Sequence, residues 1–286
     1  MSPLTLEGFI GASDAVTENF LTQVYPGIAT AIAPALYYAA ILYWALLGYK
    51  TYAGHAAFEW RELLAKTVMT CAVFSSLNWG GFASQIYHMF VSFMESAAGT
   101  MLAGEPATNM LSALFNNADQ ISQTLRNSDF YQINAILEGA LILVVNGLLF
   151  TIALLYMTIS KFGLAVTMVL LPLFIGFAMF KETRQWFMNW ISKMFNFALI
   201  YILVVAIVKL AFVAFAQYID EVGRAASYLE AREITADMVT NLFIVEIVLI
   251  IFMLQIKGWA AYLSGGATVQ GGSLLLMALK TVRGGR

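Results

Sequence analysis

Long apolar runs dominate the chain, and polar residues gather in the segments between them. A bilayer core needs about 20 mostly apolar residues per helix. Five runs reach that length, at about 28–49, 65–91, 139–160, 194–216 and 239–255. The second is longer than required and is interrupted at Asn78-Trp79-Gly80-Gly81, where a kink is expected.

The pattern changes outside these runs. Near the start, Glu7, Asp14 and Glu18 share one helical face, while Phe9, Val16 and Phe20 lie nearly opposite. That predicts a short amphipathic helix on a membrane surface, ended by Tyr25-Pro26. Residues 1–20 hold no Lys or Arg, so the basic region of a cleaved targeting peptide is not expected there. Within 92–138, Leu111, Leu114, Phe115, Ala118, Ile121 and Leu125 recur at helical spacing. Asn116, Asn117, Asp119, Gln120 and Gln123 fill the other face, which predicts a second amphipathic helix. Asp220, Glu221, Glu230, Glu233 and Asp237 mark an exposed loop at 217–238.

A sixth apolar run, 162–180, follows Lys161 and ends at Lys181-Glu182-Thr183-Arg184. It contains Gly163, Pro172 and Gly176, residues that break or bend helices. The expectation is a re-entrant or interfacial segment hinged at those three, with Lys161 and Arg184 on one side. Charge sorting supports that choice. With five spans, one side receives Lys50, Arg61, Lys66, Lys161, Lys181, Arg184, Lys193, Lys257, Lys280, Arg283 and Arg286. The other receives Arg126, Arg224 and Arg232, and a sixth span would spoil this bias.

Composition changes the picture only by exclusion. The chain is 60% apolar and 11% charged, whereas soluble domains average about 45–50% and 25%. A soluble enzyme, a disordered chain and a disulfide scaffold are therefore poor defaults. A net charge of -2 argues against a basic nucleic-acid-binding surface. His55, His88 and Cys71 lack metal-ligand spacing, and the glycine pairs lack the Lys and Ser or Thr of a phosphate cradle. No catalytic residue, metal or cofactor is expected. Trp44, Trp60, Trp186, Trp190 and Trp259 lie near span ends, as in an interfacial belt.

Two charges lie inside runs. Lys209 and Glu246 sit about seven or eight residues from the same side, roughly 10–12 Å deep at 1.5 Å per residue. An unpaired charge there costs at least a few kcal/mol, so an interhelical pair is expected, with snorkelling of each as the alternative.

One stretch is more specific. Lys161-Phe162-Gly163-Leu164-Ala165, Leu171-Pro172-Leu173-Phe174-Ile175, Phe180-Lys181-Glu182-Thr183-Arg184 and Trp186-Phe187-Met188-Asn189-Trp190 follow in order. This resembles the signature region of the TrbL-like family, polytopic inner-membrane channel components of bacterial type IV secretion systems, with Phe174, Thr183, Trp186 and Trp190 as its marks. The glycine-rich segment after Gln255, Ala260-Ala261-Tyr262-Leu263-Ser264-Gly265-Gly266 with Gly271-Gly272 beyond, is similar too.

The resemblance implies a non-enzymatic subunit that supports conjugation or protein transport through pilus biogenesis and substrate translocation. Its implied partners are minor and major pilins, a bitopic scaffold subunit, secretion ATPases and further copies in a homo-oligomeric ring. Transient contact with a translocated DNA-protein substrate is also implied. The alternative function is a stand-alone small-solute permease or ion channel. The expected fold is all-α, with five transmembrane helices, a periplasmic N-terminus, a cytoplasmic C-terminus and one re-entrant or interfacial segment. Its parts are a periplasmic N-terminal helix (1–27), two spans with a cytoplasmic loop (28–91) and a periplasmic helical loop (92–138). Three spans (139–259) follow, with the re-entrant segment 162–180 and a periplasmic loop 217–238 among them. A cytoplasmic Gly-rich tail with a short amphipathic helix (260–286) completes the chain.

Overall fold

The computed structural model describes residues 6–54, 60–104, 107–126, 133–227 and 236–265. Every regular element among them is helical. In order these are α1 (Leu6–Tyr52), α2 (Trp60–Ser75), a π-helical turn (Trp79–Ala83) and α3 (Ser84–Met101). Then come α4 (Ala107–Arg126), α5 (Ile133–Val169), α6 (Leu171–Phe177), α7 (Arg184–Ser227) and α8 (Ala236–Leu263). Among the described residues four stretches are long and apolar enough to cross a membrane: Ala12–Tyr52, Ile136–Val169, Arg184–Ala211 and Val239–Leu263. They correspond to the first, third, fourth and fifth expected spans. The expected C-terminal helix and residues 228–235 of the expected loop 217–238 lie outside the described residues, and residues 217–227 of that loop continue α7.

The second expected span is not one helix. α2 has 16 residues and reaches only about 24 Å. The chain breaks at the predicted place: Asn78 is extended, and its side chain accepts a hydrogen bond from the Gly80 N–H at 3.3 Å. Gly81 leaves the helical region (φ -97, ψ -135), and a Cβ there would lie 2.6 Å from the Ser75 carbonyl oxygen. Glycine is required by that close approach.

α1 also departs from expectation. It does not end at Tyr25-Pro26 but runs through Pro26 and Pro34 to Tyr52. A proline inside a helix removes one donor, and the rest of the ladder survives if packing holds both flanks. Tyr25 does this. It is fully buried, its hydroxyl donates to the Ser76 carbonyl, and its ring centroid lies 5.1 Å from that of Trp79. Thr30 Oγ1 donates to the Pro26 carbonyl at 2.8 Å.

The described chain clusters into two units. The first takes the described residues of 6–10, 94–160 and 199–262. Here α4 buries Leu111, Ala118, Ile121 and Leu125, the face read from the sequence. Ala118, Ile121 and Leu125 meet Ile142 of α5 and Val239 and Leu242 of α8 in one core. Ser122 Oγ donates to the Gly139 carbonyl at 2.7 Å, and Asn146 Nδ2 donates to the Phe115 carbonyl at 3.0 Å. α4 therefore lies antiparallel along the first half of α5. Gly139 permits the approach, since a Cβ would fall 2.8 Å from the Ser122 carbonyl oxygen.

The second unit takes 11–93, 161–198 and 263–265. It corrects the re-entrant segment. Residues 162–169 continue α5, and a single residue, Leu170 (φ -85, ψ 0), separates it from α6. One residue in the right-handed region cannot reverse a chain. The contacts agree: Lys161 pairs with Asp14, Gly176 lies against Leu36, and the Phe180 ring sits 5.5 Å from Tyr43. The run thus advances along α1 in the same direction, and the reversal comes afterwards, at 178–183. Lys161 and Arg184 accordingly flank the run at opposite ends, and Lys161 meets Asp14, a residue expected on the other side of the membrane.

Candidate functional site

The signature region is built around the α5–α6 break. Pro172 stands in the first turn of α6, where its missing N–H is tolerated, but it cannot donate to the carbonyl four residues back. The carbonyls of the last turn of α5 need other donors. Trp190 supplies one from α7, its indole N–H donating to the Thr167 carbonyl at 2.8 Å. At the far end of α6, Thr183 Oγ1 donates to the Phe177 carbonyl at 2.8 Å.

Aromatic rings close the space between these bonds. Phe174 and Phe187 stack on Trp190 with centroids 6.3 and 5.9 Å away, and Phe177 meets Trp186 edge-on at 5.0 Å. Phe174, Thr183, Trp186 and Trp190 are thus brought together, with Trp190 buried and Trp186 exposed. Gly163 and Gly176 are placed differently from the hinge reading. Gly163 lies within α5 against the Phe197 ring, and Gly176 lies against the Leu36 side chain. They are close-approach glycines, and of the three expected hinge residues only Pro172 stands at a break. Phe197, Leu36 and the Tyr25–Ser76 contact were not foreseen. The available signal was Tyr25-Pro26 itself, an aromatic donor beside a residue that was read as a stop.

The intramembrane charges behave otherwise. Glu246 is only 3% exposed and shares one face of α8 with buried Leu242, Leu249 and Met253. Leu242 faces Ala118 and Ile142, and Leu249 and Met253 line a gap of about 20 Å³ with Leu111, Phe115 and Val208. The gap has room for a water-sized group, whereas solute sites span roughly 300–1,000 Å³. Both Glu246 carboxylate oxygens are buried without a hydrogen-bond partner among the described residues. The expected ion pair with Lys209 is therefore not made in the single chain. Lys209 follows Val208 on α7 and projects about 100° away from it. Nearly two turns before the end of α8, Lys257 lies 5.2 Å over the Tyr156 ring. Among the described residues no group of three or more His, Cys, Asp or Glu could hold a metal ion.

Long apolar helices, broken and re-joined by aromatic donors, define a multi-pass helical membrane protein. Residues 40–256 match the family model of the TrbL/VirB6 plasmid conjugal transfer protein, well over half of the chain, and the chain belongs to that family. It is 25% identical over 194 residues to the type IV secretion system protein VirB6 of Bartonella quintana (strain Toulouse), covering 66% of this chain and 60% of that relative. It is 24% identical over 193 residues to the type IV secretion system protein VirB6 of Bartonella henselae, covering 65% of this chain and 60% of that relative. The matched region thus spans about three fifths of each relative's length.

Proposed function

We propose that the chain is an inner-membrane channel and assembly-platform subunit of a type IV secretion or conjugation machine, and that it supports pilus biogenesis and substrate translocation. The observation that carries this reading is the family match across residues 40–256. The structure is compatible with it in a physical sense. Its polar groups at the α2–α3 and α5–α6 breaks are satisfied by neighbouring helices, while long apolar stripes remain uncovered on α5 and α8. Such stripes suit lipid and further copies of the chain. Energy for transport then comes from ATPase partners, and pilins and a bitopic scaffold subunit complete the assembly.

The orientation we favour keeps the N-terminus outside. Lys50, Lys181 and Arg184 gather at the end of the second unit marked by the Tyr43–Phe180 contact, and the positive-inside rule sends that end to the cytoplasm. The opposite end, with Asp14 and Lys161, is then periplasmic.

The test is an in-frame deletion with complementation, read by substrate transfer to recipient cells and by co-purification with a pilin or a secretion ATPase. Transfer should be lost on deletion and return with the wild-type chain. Unchanged transfer after deletion, or robust solute flux by the purified chain alone in liposomes, would favour the permease reading.

A further inference from the structure

In the second unit the packed seam of α1 ends in a charge. Leu36 and Ala40 are buried on it, Tyr43 and Leu47 are half-buried, and Lys50 is exposed. Successive steps of the seam meet α6 and the residues after it. Leu36 lies against Gly176, and the Tyr43 and Phe180 ring centroids are 5.5 Å apart. Seven residues on, a helix returns to within about 20° of the same face and has risen about 10 Å. Lys50 therefore follows Tyr43 on that face, at the end where the chain turns through Lys181, Glu182, Thr183 and Arg184.

Hydrogen bonds fix that turn. Thr183 Oγ1 donates to the Phe177 carbonyl, the Arg184 N–H to the Phe180 carbonyl at 3.0 Å and the Trp186 N–H to the Thr183 carbonyl at 2.9 Å. Lys181 and Arg184 are exposed on it, and among the described residues neither they nor Lys50 pair with a carboxylate. Glu182, also exposed, is the one acid between Phe177 and Lys193, so two net positive charges remain at this end. Gathered cations without a counter-ion attract an anion. The surroundings say which kind. Trp186 is exposed beside Phe177, and Leu42, Leu46 and Tyr49 are exposed on the flank of α1 next to the seam. Amphipathic rings above aliphatic side chains suit a lipid interface, whereas a dissolved anion or an acidic peptide gains nothing from the aliphatic ones.

We infer that Lys50, Lys181 and Arg184 hold the phosphate of an anionic phospholipid, with its acyl chains against Leu42 and Leu46. The guanidinium of Arg184 offers paired N–H donors to two phosphate oxygens, and the two ammonium groups add compact charge. Held there, the headgroup ties the end of α1 to the α6–α7 turn, one step of the seam past the Tyr43–Phe180 contact. The inference needs a bilayer and this end of the second unit. It is independent of the secretion reading, so either can fail without the other.

The test is native mass spectrometry of the purified full chain in detergent, with phosphatidylglycerol and phosphatidylcholine of identical acyl chains supplied together. Phosphatidylglycerol should be retained about fivefold or more over phosphatidylcholine. Lys50→Gln, Lys181→Gln and Arg184→Gln should each lower that retention about fivefold. All three side chains are exposed, so the variants should keep the wild-type elution, and three of them keep the comparison readable if one accumulates poorly. Lys193→Gln, at another exposed cation two and a half turns further along α7, should leave retention unchanged. Equal retention of the two lipids would overturn the inference and leave the patch to an acidic protein segment. An equal loss in Lys193→Gln would overturn it too, since it would mark a diffuse attraction without a site. Inorganic phosphate should not displace the bound lipid. Displacement would make this a site for a free anion and remove the lipid assignment.

Discussion

At the helix breaks, backbone carbonyls at the ends of the ladder accept from another helix: Ser76 from the Tyr25 hydroxyl, and Thr167 from the Trp190 indole as well as from the Leu170 N–H. At Glu246 the reverse holds, with two carboxylate oxygens buried on the face that carries Leu242 and Leu249 and no hydrogen-bond partner among the described residues. Both places put a polar group at low dielectric, where an unmet hydrogen bond is costly. The breaks are complete within one chain, so they belong to the folded subunit. Glu246 is incomplete within one chain, so its cost is carried by the rest of the fold until something outside the chain, or a movement inside it, relieves it.

Breaking that contrast begins with the breaks, where the largest effects are expected. Trp190→Ala removes a buried ring and its hydrogen bond, and should lower the unfolding free energy in detergent by about 3–5 kcal/mol. Gly163→Ala drives a methyl into the Phe197 ring and should cost about 1–3 kcal/mol. Gly176→Ala should cost less, because the Leu36 side chain it meets can rotate away. A larger effect at 176 than at 163 would argue against the close-approach account. Tyr25→Phe and Trp190→Phe keep most of the packing and lose one hydrogen bond, so each should cost about 1 kcal/mol. Glu246→Gln comes last. It should be neutral within about 0.5 kcal/mol, or stabilising, in the isolated chain, since no bond is lost. A cost equal to that of Trp190→Phe would erase the distinction between the two regions. Exchange of the charges, Lys209→Glu with Glu246→Lys, should not rescue the single reversals in the isolated chain. Rescue would show that the pair forms after all.

Much of the fold is legible in the apolar pattern. The runs at 28–49, 139–160 and 239–255 all lie within long helices, and the interruption at Asn78–Gly81 is a break built on Gly81. The buried face of α4 is the face its spacing predicted, because an amphipathic helix has one way to bury apolar residues. What escaped the sequence was tertiary. Pro26 reads as a stop until Tyr25 is seen to be held by Ser76 and Trp79. Gly163, Pro172 and Gly176 read as a hairpin until Phe197 and Leu36 are seen to occupy the space the two glycines leave. Charge counting misplaced Lys161 for the same reason. It assumed that Lys161 and Arg184 lie on one side, a conclusion that followed only from the hairpin. The signature residues Phe174, Thr183, Trp186 and Trp190 were legible as a group, but their work at a helix break depends on contacts that no local pattern encodes.

The passage of residues 162–180 alongside α1 decides the architecture of the second unit, and paired cysteines in native membranes test it directly. In a Cys71→Ser chain, a short bismaleimide should join Asp14→Cys to Lys161→Cys and Tyr43→Cys to Phe180→Cys. Asp14 and Tyr43 are separated by about 44 Å of helix, so Asp14→Cys should not reach Phe180→Cys. Cross-linking of 14 to 180, with none between 43 and 180, would restore the hairpin and contradict the account.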